Sequence, residues 1–347
     1  MIFPSMTAYF SLTKPRVVIL LQITAICAVF VHDSLEDVPL EDSIGTMLIV
    51  LVGGFLTAGG ANAINMWYDR DIDPMMKRTA ERAIPSGMVS PSSALFFGIS
   101  ISILGILWFY FMSNEVAAFW SAFSILFYVI IYSMWLKRST PQNIVIGGIA
   151  GSTPPIIGWS ASVEGLSISN KSLMSSLESV MNLGSPMPWL MFTLIFLWTP
   201  PHFWALALYR SKEYAEVGVP MMPNVKGPER TIVEMKVYSI LLILLSILAR
   251  ISFEEVELDG WSYHVLSWTI ILLSVWYAST VWRIDLSEDP DGSGRIPSAA
   301  NSFFVSMLYL ALMFVVLVTG SIDPLGTIAG AIISALFIWK TELKIRA

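Results

Sequence analysis

The sequence predicts an all-α integral membrane protein: a bundle of nine transmembrane helices, followed by a tenth apolar segment near the C-terminus. Three observations carry that expectation. Of the 347 residues, 55% are hydrophobic and only 13% charged, about half the charged share of an ordinary soluble domain. The mean hydropathy of +0.68 leaves too little polar surface to cover a soluble globule of this size. The apolar residues also fall in runs of about 20, the length a helix needs to cross the hydrocarbon core.

These runs lie near 15–32, 43–68, 92–112, 115–135, 142–161, 187–209, 231–249, 260–282 and 300–319. The tenth, near 324–340, holds Gly326, Gly330 and several alanines, with no charge before Lys340. All belong to a single domain over 1–347, with a core over 8–320 and 324–340 as an extra helix. The first run follows basic residues, as a signal peptide would. No small-residue cleavage site closes it, however, and the next loop proceeds directly to another span. It reads as a membrane helix.

The basic residues test the helix count, because loops on the cytoplasmic side carry an excess of lysine and arginine. With a cytoplasmic N-terminus, one face receives Lys14 and Arg16; Arg70, Lys77, Arg78 and Arg82; Lys137 and Arg138; Arg210, Lys212, Lys226 and Arg230; Arg283 and Arg295; and Lys340, Lys344 and Arg346. That is 17 of the 20 basic residues. Lys171 and Arg250 fall outside, and Lys236 lies within helix seven. The first outer loop is acidic, with Asp33, Glu36, Asp37, Glu41 and Asp42. The other long outer stretch, 162–186, is Ser-rich and reads as a surface loop without catalytic weight. The single cysteine, Cys27, excludes an intramolecular disulfide and a Cys-based metal centre. Three histidines, His32, His202 and His264, argue against a His-cluster metal site. The formal net charge of −6 identifies no partner by itself, and no nucleic-acid partner is expected.

The chemistry concentrates at the end of helix two, in Asn65-Met-Trp-Tyr-Asp69-Arg-Asp71-Ile-Asp73-Pro74. Asn65, Asp69 and Asp73 stand at i, i+4 and i+8, which on an α-helix places them along one stripe. Pro74 predicts a helix end there, since it restricts Asp73 away from helical dihedrals. Carboxylates so placed repel each other and are costly near hydrocarbon unless a cation joins them. A few oxygen ligands sharing a site with water and phosphate are what Mg²⁺ uses. Lys77, Arg78 and Arg82 then supply contacts to phosphate oxygens. Acidic beside basic residues suits a metal–diphosphate complex; the alternative is a juxtamembrane salt-bridge network that only orients the loop.

A second acidic element follows helix six, where Lys212 and Glu213 lie on the same predicted face as Asp69 and Asp73. Glu213 is a candidate second metal ligand, with a solvated glutamate at a helix end as the alternative and Glu216 as a lesser candidate. Lys212 joins the candidate phosphate contacts. Within helix six, Pro200-Pro201 predicts a local break, and His202 follows at membrane depth. Such a histidine is either functional or a hydrogen-bonded structural residue. Helix five begins beside Gln142 and Asn143, at the same end as the aspartates, and its Gly147, Gly148 and Gly151 point to close helix packing.

The stretch Asn65-x-x-x-Asp69-x-x-x-Asp73 resembles the first aspartate-rich motif of the intramembrane UbiA-type prenyltransferases. Three further runs are similar to the heme branch of that superfamily, the protoheme IX farnesyltransferases or heme O synthases. They are Leu12-Thr-Lys14-Pro-Arg16; Thr140-Pro-Gln-Asn143-Ile-Val-Ile-Gly-Gly148; and Thr199-Pro-Pro-His-Phe-Trp-Ala-Leu-Ala207 with Gly218-Val-Pro-Met221. The resemblance covers about 8–320. It departs at Ala83, where the family has proline, at Glu213, where it has aspartate, in the longer 162–186 loop and in the tenth segment.

The resemblance implies transfer of a farnesyl group from farnesyl diphosphate to a vinyl group of protoheme IX, with Mg²⁺ as cofactor. Diphosphate is released and water adds to the acceptor. It implies Asn65, Asp69 and Asp73 at one metal, Glu213 at a second, and Lys77, Arg78, Arg82 and Lys212 on diphosphate. His202, Gln142 and Asn143 are expected near the porphyrin or the reacting centre. The implied setting is the cell membrane, with the active site at the cytoplasmic face and a downstream heme-modifying enzyme as a partner. Other readings are a related prenyltransferase acting on a quinone precursor or a glycerol-phosphate lipid, a cation transporter, and a heme-binding structural subunit. A transporter would hold its carboxylates near the bilayer midplane, not at a helix end beside a basic loop.

Overall fold

A computed structural model describes residues 5–76, 79–209, 218–254, 260–289 and 296–346. Among them, ten helices are long and apolar enough to cross a membrane. The segment near 324–340 qualifies on the same terms as the other nine.

The helices fall into two compact units, divided for the most part at Trp189. The first holds α1 (Met6–Leu12), α2 (Pro15–Leu35), α3 (Leu40–Tyr68), α4 (Pro91–Met112) and α5 (Glu115–Leu126), followed by α6 (Asn143–Ser152), α7 (Pro154–Ser162) and α8 (Leu173–Met181). α5 continues as a π-helical stretch, Phe127–Trp135, and a 3₁₀ turn, Leu136–Arg138. The second holds most of α9 (Met187–Tyr209), with α10 (Met222–Lys226), α11 (Pro228–Glu254), α12 (Gly260–Trp282), α13 (Pro297–Ile322) and α14 (Pro324–Arg346).

Three local expectations change. The fifth span is two helices, not one. Pro154 cannot donate to Ala150, and the Ala150 carbonyl instead accepts from Thr153 Oγ1 at 2.8 Å and from Ser124 Oγ at 3.2 Å. The sixth span runs unbroken through Pro200 and Pro201, because proline is tolerated where no water competes for the backbone and neighbouring helices hold the segment. Within 162–186 lies α8, started by a capping box in which Ser172 and Ser175 satisfy each other's backbone N–H groups.

Candidate active site

The end of α3 is set by its closeness to α4. A Cβ on Gly60 would meet Ser102 Oγ at 2.2 Å and the Gly98 carbonyl at 2.8 Å, a backbone approach that only small residues permit. From Gly59 to Met66 every α3 residue is buried, so the polar groups that follow emerge from a packed support.

The regular α-helix ends at Tyr68, earlier than the sequence predicts. The Asp69 N–H still bonds to the Asn65 carbonyl, but the chain then tightens into two 3₁₀ turns, Asp69–Asp71 and Asp73–Met75. Pro74 keeps Asp73 out of the α-helix, and Thr79 Oγ1 donates to the Asp73 carbonyl at 2.7 Å, folding the loop back. The single helical stripe is therefore replaced by a last turn, a cap and a separate turn. These still carry Asn65, Asp69 and Asp73 into burial, with exposures of 3%, 0% and 1%.

Each group meets a cation. Lys14 Nζ donates to Asn65 Oδ1 at 2.7 Å, while Asn65 Nδ2 donates to Asp69 Oδ2 and to Ser133 Oγ, both at 3.0 Å. Lys137 Nζ also donates to Asp69 Oδ2. One nitrogen of Arg82 reaches both oxygens of Asp73 at 2.8 Å. Arg138 forks onto Asp71 at 2.6 and 2.7 Å, lies 4.8 Å over the Tyr68 ring, and stands 3.5 Å from Asp69 Oδ1.

Lys14 ties the cluster together. Its φ of +51° is a left-handed conformation that is uncommon for lysine. The turn is pinned to α3 by Asn62 Nδ2, which donates to the Thr13 carbonyl at 3.1 Å. Burial of the ammonium, and then the like charges of Arg82 and Lys137, push Lys14 down to about 7, against the opposing pull of Asp69 and Asp73.

Lys14, Ser133, Lys137 and Arg138 are functional candidates that the sequence did not single out. Lys14 appears there as a marker of the cytoplasmic side and within one family-like run, and Lys137 and Arg138 only as such markers. The π-helical stretch rotates the chain so that Ser133 reaches Asn65. The 3₁₀ turn after it then delivers Lys137 and Arg138. Such π segments recur at functional sites, but apolar periodicity does not reveal them.

The donor set fits a magnesium ion held together with phosphate. Among the described residues no three His, Cys, Asp or Glu side chains form a metal-holding group. Mg²⁺ needs fewer, since it keeps waters and takes one or two carboxylates plus substrate phosphate. Asp69, Asp73 and the Asn65 amide meet that need. Setting aside the Arg138–Asp71 pair, Lys14, Arg82 and Lys137 outnumber the two buried carboxylates when all three are charged. With Lys14 protonated, these described groups carry more positive than negative charge, which favours an anion over a transported cation.

The other predicted residues divide. Asn143 is buried, and its Nδ2 donates to the Thr140 carbonyl at 2.6 Å, closing the turn before α6. Gln142 is half-buried in the same turn, its N–H bonded to Thr140 Oγ1 at 3.2 Å. His202 lies in the second unit, its Nδ1 2.6 Å from Ser306 Oγ. Lys77, Arg78, Lys212, Glu213 and Glu216 lie outside the described residues. Of the glycines expected to pack closely, Gly147 does, since a Cβ there would meet the Tyr132 ring at 2.3 Å, whereas nothing lies within 4 Å of one on Gly151.

The sequence model of the UbiA prenyltransferase family matches residues 20–293. The chain belongs to that family. Its relatives include the protoheme IX farnesyltransferase of Beijerinckia indica, 39% identical over 93% of this chain and 90% of that one. That of Acidiphilium cryptum is 40% identical over 89% of each. The UbiA fold is shared with a digeranylgeranylglyceryl phosphate synthase, at a TM-score of 0.68 and 17% identity, over 91% of this chain and 98% of that one. A UbiA homologue from Archaeoglobus fulgidus, bound to GPP and Mg²⁺, aligns at a TM-score of 0.58 and 16% identity, over 91% of this chain and 99% of that one. Like other UbiA proteins, the chain is a multi-pass membrane protein.

Proposed function

We propose that the chain transfers a farnesyl group from farnesyl diphosphate to a vinyl group of protoheme IX, giving heme O and diphosphate. The observation that carries this reading is the buried Asn65–Asp69–Asp73 cluster with its surplus of lysine and arginine. The acceptor is argued from relatives 38–40% identical over about nine-tenths of the chain, all protoheme IX farnesyltransferases.

Bound Mg²⁺ supplies charge neutralisation to the departing diphosphate. Asp69, Asp73 and the Asn65 amide oxygen would hold the metal, the two carboxylates being oriented by the Asn65 N–H and by Arg82. Lys14, Arg82 and Lys137 stabilise negative charge as it grows on the diphosphate oxygens. Lys77, Arg78 and Lys212 are assigned to the same anion, and Glu213 to a second metal. The allylic C–O bond breaks and diphosphate leaves with the electron pair. The vinyl π electrons form the new C–C bond, and water captures the resulting cation with release of one proton. Apolar helix walls shield the allylic cation from bulk water until then. The basic-residue asymmetry supports an active site at the cytoplasmic face, and a heme-modifying enzyme would consume the product.

The test uses membranes containing the full chain, given protoheme IX, farnesyl diphosphate and Mg²⁺. A heavier, more hydrophobic heme detected by mass spectrometry supports the reading. Prenylation of a quinone precursor or a glycerol-phosphate lipid, with protoheme untouched, overturns it.

A further inference from the structure

His202 sits in the second unit within an aromatic sandwich. The Trp198 ring stacks on it at a centroid distance of 4.2 Å and 21°, and Phe303 stacks at 4.8 Å and 25°. Phe203 meets it edge-on at 5.1 Å. Two near-parallel rings and one edge-on ring thus pack against the imidazole.

The hydrogen bonds choose the tautomer. Ser306 Oγ donates its one hydrogen to the Phe303 carbonyl at 2.6 Å. Toward His202 it is therefore an acceptor, and the 2.6 Å contact is Nδ1–H donating to Ser306 Oγ. Trp198 Nε1 donates to the Ser306 carbonyl at 2.8 Å, fixing the same turn of α13 from a second direction. With the proton on Nδ1, the in-plane lone pair is on Nε2. That edge has no hydrogen-bond partner among the described residues, and His202 retains 7% exposure.

A neutral imidazole anchored through Nδ1–H, with a free Nε2 lone pair, is the form in which histidine binds a metal. Its apolar surroundings suit a porphyrin. Resting on the proposed heme acceptor, we infer that His202 Nε2 is an axial ligand to the iron of the bound protoheme. Ser306 is a positioning residue that sets the tautomer. The ligand holds the macrocycle by its centre and leaves its vinyl edge free.

Absorption and resonance Raman spectra of the purified full chain with ferric and ferrous protoheme IX test this, without reference to turnover. The wild type is expected to give a histidine-ligated Soret band and an iron–histidine stretch. His202→Gly should lose both, and added imidazole should restore the Soret band. Ser306→Ala should keep the ligation but shift the stretch, because the hydrogen bond tuning the imidazole is gone. Heme uptake by His202→Gly with an unchanged spectrum overturns the assignment. If that variant does not survive purification, an unshifted stretch in Ser306→Ala overturns it instead. Failure of the wild type to take up protoheme at all sinks the acceptor reading itself, a distinct outcome.

Discussion

The two units concentrate polarity in opposite ways. In the first, Asn65, Asp69 and Asp73 are buried together and every one of them touches a charged or polar side chain. In the second, His202 is surrounded by Trp198, Phe203 and Phe303 and has, among the described residues, one polar side-chain partner, Ser306. The first arrangement suits a strongly charged ligand, because removing one member of a buried ion pair leaves the other uncompensated. The second suits a flat apolar ligand that needs one directional bond. A prenyl transfer to a porphyrin calls for both.

This contrast can be broken at several strengths. The largest effect is expected from chelation: EDTA should abolish product formation, and excess Mg²⁺ should restore it. Product formation that persists in chelator, measured by mass spectrometry, would remove the metal from the account. Next come Asp69→Asn and Asp73→Asn, each expected to lower turnover about 10²–10³-fold, the scale seen when one group stabilising transition-state charge is lost. Near-normal turnover in both, with the protein still folded in the membrane, would reduce the cluster to a salt-bridge network.

Lys137→Met should act less strongly, by about tenfold in kcat/KM for the diphosphate substrate, since Lys14 and Arg82 remain. A change confined to the protoheme KM would contradict its placement. Ser133→Ala is the smallest, about severalfold, because it removes only one of the bonds that orient the Asn65 amide. An effect as large as that of Asp69→Asn would mean that the π-helical stretch does more than position.

Much of this was legible in the sequence, for definite reasons. Ten spans could be read because apolar length is a direct requirement of the bilayer. That Asn65, Asp69 and Asp73 share one polar cluster could be anticipated, because carboxylates at regular spacing near hydrocarbon are costly unless a cation joins them. The end of α3 at Tyr68 was not legible, since the loop is folded back by Thr79 and Arg82. Nor were the partnerships of Lys14 and Lys137, which join residues 51 and 68 positions apart. The two proline pairs teach the same lesson. Pro154-Pro155 separates α6 from α7, where Ser124 and Thr153 take up the Ala150 carbonyl. Pro200-Pro201 leaves α9 continuous, where Trp198 is tied to α13. Proline states which hydrogen bonds are lost; neighbouring helices decide whether the chain bends.

We propose that Asn65, Asp69 and Asp73 bind diphosphate through a divalent ion. Electron paramagnetic resonance with Mn²⁺ in place of Mg²⁺ tests it most directly. The wild-type chain with ³¹P-diphosphate should show bound Mn²⁺ coupled to phosphorus, and the combined Asp69→Asn, Asp73→Asn variant should show neither. A phosphorus-coupled Mn²⁺ signal that persists unchanged in that variant would contradict the account.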